Sequence, residues 1–381
     1  MAFTESTSVG WLSRIFESIK GVLIGFVLIG VSVVALFWGE GRAVHRAQAL
    51  AEGKANVVAV DANKVDPANE GKLVYVSAPA TTEKGLDDED FGLQAPTALR
   101  LVRKTEMYQW KQSTRTETHK NFGGSEERVT TYTYEKEWSA SHIESSAFKE
   151  SGHANPAKIP VAGETWNAPD AKLGAFELSG VVLDQLSAEQ QVTPKSLDDA
   201  KTSELGSKKG VIAQGMIYFG KPDSPVVGDV RVSHAQLPAG PISVIAQQTN
   251  GGFEAYHAES GDLILAQTGT VSSATMFKQA EEENANITWI IRGVGFVLIW
   301  IGFGLIFSPL ATIADVVPFI GSIVGAGTFI AGFICALPVW LITVAVAWIV
   351  YRPVIGILLL VVAIGIPLLF KITRKPKVAA G

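Results

Sequence analysis

The sequence predicts an integral membrane protein with one N-terminal and about three C-terminal α-helical spans, plus a β-rich α+β extracytoplasmic domain. Three observations carry that fold class. From residue 293 to 351 the chain holds a single charged side chain, Asp315, with Arg292 and Arg352 standing at either end. Residues 21–38 form another uncharged apolar run. The stretch between has the composition of a soluble domain, so a mean hydropathy of +0.24 beside 18% charged residues reflects segregation along the chain. A helical span needs about 20 mostly apolar residues to cross a hydrocarbon core of about 30 Å, and it satisfies its own backbone while doing so.

Taken in order, residues 1–20 are read as a cytoplasmic N-terminus that includes an amphipathic stretch from Trp11 to Lys20. Residues 21–38 are the first span. The run is longer than the apolar core of a secretory signal and ends in Phe37-Trp38, an interfacial aromatic pair, so it reads as an uncleaved signal anchor. Gly21 and Gly25 within it form a GxxxG pair suited to close helix packing.

Residues 39–286 are read as the β-rich non-cytoplasmic domain. It opens with a helix over 41–51 that continues out of the span, then a strand over 72–78. The clearest pair of strands is 98–114 with 127–139, joined through Asn121-Phe122-Gly123-Gly124 as a long hairpin. Tyr108 and Trp110 share one parity, as do Tyr132, Tyr134 and Trp138, which gives an aromatic face. That face is expected to pack across the strands, with a ligand platform as the alternative. Two short helices are expected at 179–186 and 197–205. Strands then return at 211–219, 226–234, 242–248, 253–257 and 263–267, separated by turn formers such as Asn250-Gly251-Gly252, as in an antiparallel sheet or barrel.

Ser272 or Ser273 caps a helix leading into the C-terminal block, residues 287–370. The spans there are expected at 289–307, at 321–350 with a kink or break near Pro338, and at 354–370. Residues 310–320, holding Asp315 and Pro318, are too short to cross and read as interfacial or re-entrant. Gly321 and Gly325 are candidate packing residues, and residues 371–381 form a basic cytoplasmic tail. Lys371, Arg374, Lys375 and Lys377 on the tail, with Arg14 and Lys20 before the first span, put both ends in the cytoplasm. Arg42 and Arg46, on the other side of that span, pull against this orientation.

Function is less legible. No P-loop, HExxH, GxSxG or dinucleotide-binding glycine pattern occurs, and the histidines lack metal-ligand spacing. No catalytic residue, cofactor or metal site is therefore expected. The mildly acidic chain offers no basic cluster outside its tail, which argues against nucleic acid as a partner. The lone Cys335 falls in the apolar block, so no disulfide forms within the chain. The run Asp87-Asp88-Glu89-Asp90 reads as a solvated turn. Asp315 is a lone acid in an apolar block and needs water, a cation or an internal partner. It is read as a headgroup-level cap for the next helix, with an ion pathway or pairing to Arg352 as alternatives.

Several stretches share an order and spacing with a known family. They are Glu40-Gly41-Arg42-Ala43, Asn69-Glu70-Gly71-Lys72, Glu106-Met107-Tyr108-Gln109-Trp110, Gly228-Asp229-Val230-Arg231 and Tyr351-Arg352-Pro353. With Asp315 and Pro318 as an Asp-x-x-Pro element, the chain resembles the transmembrane protein 43 (LUMA) family over nearly its whole length. The resemblance implies a non-enzymatic membrane protein that self-associates and organises membrane protein complexes, or one with channel-like or channel-regulating behaviour. It also marks Glu40, Gly41, Arg42, Trp110, Asp229, Arg231, Asp315, Pro318 and Arg352 as candidate functional residues. The partners expected are the lipid bilayer, further copies of the chain and other membrane proteins. Eukaryotic members work in the endoplasmic reticulum and inner nuclear membrane; a bacterial member would sit in the inner membrane.

Overall fold

The computed structural model describes residues Ala2–Val354. The expected span over 354–370 lies outside the described residues beyond Val354, as does the tail 371–381. The chain forms two compact units. A β-rich unit gathers Ala49–Glu117 and Val129–Gln279 with the first residues of the chain, and a helical unit gathers Ser6–Gln48, Thr118–Arg128 and the chain from Ala280 on.

The β-rich unit holds two main sheets. In one, the strands Ala98–Lys120 and Glu126–Ser139 form the expected hairpin, longer in its first strand than the sequence indicated. Gly123 and Gly124 carry φ of +87° and +80° at its turn, a region costly for other residues. Val230–Pro238 pairs antiparallel with Ala98–Lys120, and Met216–Phe219 and Lys208–Ala213 continue the sheet. The strand expected over 211–219 is thus two strands, because Gln214 and Gly215 both take positive φ and reverse the chain.

In the second sheet, the strands Leu73–Thr81, Lys172–Leu173, Phe176–Glu177, Gly252–Glu254 and Gly240–Thr249 pair in a ring that closes on itself. Val74, Val76, Leu173, Phe176, Val244 and Phe253 fill a shared core, with Phe176 stacked on Phe253 at 5.2 Å between ring centroids. Alternation along Leu73–Thr81 and Gly240–Thr249 places those side chains on one face.

The expected helix at 179–186 is a single turn, Gly180–Leu183, here α2, following the long helix α1, Trp11–Asn56. The helix expected at 197–205 does not form. Gly206, at φ +62°, instead turns the chain so that Glu204–Leu205 pairs with Lys208–Lys209.

Among the described residues, the helical unit holds three long helices. α1 is one unbroken helix that includes the amphipathic start, the first span and the helix beyond it. α3, Ser273–Ala314, and α4, Pro318–Tyr351, form a helical hairpin. The Thr275 amide donates to Ser272 Oγ at 3.3 Å, which supplies the expected cap before α3. α3 passes the expected stop at Pro309. Proline removes the bond that Leu305 carbonyl would accept, and Ser308 Oγ donates to that carbonyl at 2.8 Å instead. α4 likewise runs unbroken through Pro338. The interfacial segment expected over 310–320 shrinks to the turn at 315–317.

α1 lies antiparallel to α3. A Cβ at Gly25 would stand 2.6 Å from Gly302 carbonyl oxygen, so only glycine permits this approach. Gly21 meets Ser308 and Leu305 at ordinary contact distance. Leu36, Ile299 and Ala336 form the centre of the layer, one from each helix, ringed by Phe296, Trp300 and Trp340. A Cβ at Gly325 would meet nothing within 4 Å among the described residues.

Candidate functional site: two buried ion clusters of the helical unit

An apolar helix layer excludes charge unless the charge is paired, and here it is paired at two levels. The first level surrounds Asp315, which sits 1% exposed in the turn between α3 and α4. Its carboxylate takes Lys120 Nζ at 2.7 Å and an Arg14 guanidinium nitrogen. Arg14 also reaches Glu126 at 2.8 Å and the Gly124 carbonyl at 2.6 Å. Arg128 links Glu126 to Glu17. Three cations therefore face three carboxylates.

The backbone builds the same corner. Gly123 amide donates to Val316 carbonyl at 3.0 Å, and Trp11 Nε1 donates to Thr312 carbonyl at 3.0 Å. Gly124 leaves room for the Trp11 ring, and Gly321 leaves room for the Asp315 carboxylate; a Cβ at either would collide. Asp315 does not cap α4: the residue before that helix is Val317, which makes no side-chain cap, and Pro318 occupies the first helical position. Nor does Asp315 pair with Arg352. That residue closes α4, its amide donating to Trp348 carbonyl at 2.7 Å.

The second level surrounds Glu40, 3% exposed on α1. Arg292 of α3 holds it through Nε at 2.5 Å and Nη2 at 2.9 Å, and Trp348 Nε1 of α4 donates to it at 2.9 Å. The Arg292 guanidinium lies over the Trp289 ring at 4.8 Å. Trp340 Nε1 donates to Arg292 carbonyl at 3.0 Å. Gly41 lets the Tyr351 ring approach, since a Cβ there would stand 2.6 Å from it. One carboxylate thus joins all three helices, and a bidentate fork is the strongest form of such a pair.

Trp110, Asp229 and Arg231 lie in the β-rich unit and join neither cluster, whereas Arg42 lies on α1 two residues past Glu40. Trp110 is bracketed by Asn155, whose side chain accepts from its amide at 2.7 Å and donates to its carbonyl at 2.9 Å. Its ring meets His153 at 4.5 Å and carries Lys136 above it at 4.6 Å. Asp229 accepts from Lys208 at 2.6 Å and from Val226 amide at 2.9 Å, holding the Pro222–Gly228 turn. Arg231 pairs with Glu106 at 2.8 Å and covers the Trp138 ring at 4.7 Å. The aromatic face is a packed surface of half-buried rings, Tyr108 against Trp138, and buried ones, Tyr132 and Tyr134, with Tyr134 stacked on His153 at 4.0 Å.

Sequence reasoning missed a further buried network. Asp88 was taken with its acidic neighbours as a solvated turn, yet it is 2% exposed and holds Arg103 at 2.9 Å and His234 Nε2 at 2.8 Å. Burial alone would raise this carboxyl; the His234 hydrogen bond and the Arg103 charge outweigh it and hold Asp88 below the usual carboxylate range. Arg103 sits at the centre, also reaching Glu164 at 3.0 Å and lying over the Phe91 and Trp166 rings. An arginine whose parity places it on the inward face of a strand was the available signal.

Among the described residues, three helices long and apolar enough to cross a bilayer, closed by buried ion clusters, together with a β-rich unit, define a helical membrane protein with a β-rich domain. The family model for Transmembrane protein 43 matches residues 107–353. Transmembrane protein 43 of Rattus norvegicus is 32% identical over 98% of this chain and 94% of its own length. The Homo sapiens protein of that name is 31% identical over 97% and 94%, and the Drosophila melanogaster homolog 28% over 89% and 90%. The chain belongs to the transmembrane protein 43 family. No solved structure matches it.

Proposed function

We propose that this protein is a non-enzymatic scaffold that self-associates through its helical unit and thereby organises other membrane proteins. The observation that carries this reading is the open face of α4. Among the described residues a Cβ at Gly325 or Gly327 would meet nothing within 4 Å, whereas Gly25, Gly302 and Gly295 are taken up by contacts between the helices. Exposed Ile323, Phe329 and Ile330 flank the open pair. Lipid tails give no hydrophobic drive for helix association, so small residues that admit a second backbone are what a self-associating face requires.

A pore built on Asp315 is less well supported. A carboxylate that selects cations must be free to meet them, and this one is engaged by Arg14 and Lys120. We take the site of action to be the inner membrane in a bacterium, or the endoplasmic reticulum and inner nuclear membrane in a eukaryote.

The test is crosslinking of the full chain in membranes. Gly325→Leu is expected to abolish the crosslinked dimer while leaving the melting temperature unchanged. Gly25→Leu is expected to lower the melting temperature, because the added side chain pushes α1 off α3 at a cost of about 1–3 kcal/mol. An intact dimer in a folded Gly325→Leu protein refutes the scaffold face.

A further inference from the structure

Arg42 stands just past the uncharged run of α1, two residues from Glu40. Its Nε and Nη2 are buried and have no hydrogen-bond partner among the described residues. Those two nitrogens form the side-on fork of a guanidinium, the same pair with which Arg292 grips the Glu40 carboxylate. Arg42 therefore carries a side-on fork that none of the described residues engages. Glu40 cannot serve, because Arg292 and Trp348 already occupy it. Arg46 follows one turn on and acts electrostatically with both Glu283 and Arg42, so it adds positive charge beside the fork and offers it no acceptor.

The level of Arg42 decides what the oxyanion belongs to. Trp38 lies one turn before it and Trp289 one turn before Arg292, and they are 64% and 63% exposed. Large indoles facing outward at the end of an apolar run mark the headgroup region, where their amphipathic rings are stable. We propose that Arg42 binds the phosphate of a membrane phospholipid, with Arg46 reinforcing the charge.

The Arg42 side chain remains part-exposed, and no hydrogen bond is lost when its fork turns from the helix layer towards a headgroup. This outward reach along an apolar stem is the ordinary behaviour of arginine at an interface. The phosphodiester offers two oxygens in the spacing the fork requires, and the low dielectric beside the acyl region strengthens the contact.

The experiment compares the full chain, Arg42→Gln and Arg42→Lys in nanodiscs of equal parts phosphatidylglycerol and phosphatidylcholine, with retained lipid counted by native mass spectrometry. Wild type is expected to retain a phospholipid that Arg42→Gln holds about tenfold less, with Arg42→Lys between them because it keeps charge and loses the fork. Equal retention by wild type and a folded Arg42→Gln overturns the proposal. Should Arg42→Gln fail to fold, equal retention by wild type and Arg42→Lys overturns the fork. A second arm adds inorganic phosphate to the detergent-solubilised chain. Thermal stabilisation by free phosphate equal to that by lipid would assign the fork to a soluble anion and overturn the headgroup source.

Discussion

Replacing Asp315 with leucine removes the carboxylate that Arg14 and Lys120 share. Breaking a buried ion pair by deleting one partner costs about 3–5 kcal/mol, because the remaining charge stays buried. Here the loss is reduced. Lys120 is 35% exposed at its side chain and turns to water, and Arg14 keeps Glu126 and the Gly124 carbonyl. We expect about 2–4 kcal/mol, which overlaps the lower half of that range and reaches below it. Arg14→Leu leaves Asp315 with Lys120 and Glu126 with Arg128, and is expected to cost about as much. The double variant replaces two buried charges with two apolar side chains and should cost less than the sum by about 1–2 kcal/mol. Trypsin cleavage after Arg128 reads the opening of this corner, since proteolysis follows the population of the open form. Asp315→Leu should accelerate it about 30-fold to 700-fold, at a factor of ten per 1.4 kcal/mol. Unchanged cleavage in the single variants, or strict additivity in the double, would refute the pairing.

Two further outcomes are expected. Asp88 has a folded-state pKa below its unfolded value, so its contribution to stability is full above the ordinary carboxylate pKa of about 4 and is lost as pH falls through the depressed one. The melting temperature should drop in acid below about pH 4, and Asp88→Asn should be destabilised at neutral pH with a shallower acid drop; identical acid profiles would refute it. Cysteines at Ser8 and Ser125 should label from the same side of a membrane, because Ser6 Oγ donates to Glu127 at 2.6 Å and Arg14 reaches the Gly124 carbonyl. The distribution of basic residues had put residues 8 and 125 on opposite sides, and opposite labelling would overturn the tip contacts.

The spans were legible because lipid imposes a coarse rule: a long uncharged run must be a helix, whatever it touches. Hairpin strands were legible where parity and glycine turns agreed, as at Gly123-Gly124. The short helix expected at 197–205 failed because Gly206 lets the chain pair locally, and a positive φ is invisible in residue names. The partners of Asp315 were hidden for a different reason. Arg14 lies 301 residues away in sequence and Lys120 lies 195 away, in a segment whose polar composition assigned it to the soluble domain. Composition reports the solvent a segment meets on average; it does not report which few residues at its tip are buried. Glu40 and Arg292 were both conspicuous beside apolar runs, yet only antiparallel packing through Gly25 and Gly302 sets them at one level.

The carboxylate that joins the three helices also sets a schedule for making the protein. Glu40 and Arg292 are 252 residues apart. At a synthesis rate of about 5–20 residues per second, the acid waits about 12–50 s for its partner to leave the ribosome. Through that interval α1 is a membrane helix with an unmatched acid at its end, and neither α3 nor α4 exists to shield it. The nascent chain must keep Glu40 at the water boundary, or lend it to another protein's cation, until α3 arrives. Assembly of this three-helix contact is therefore completed only after α3 and α4 have been inserted.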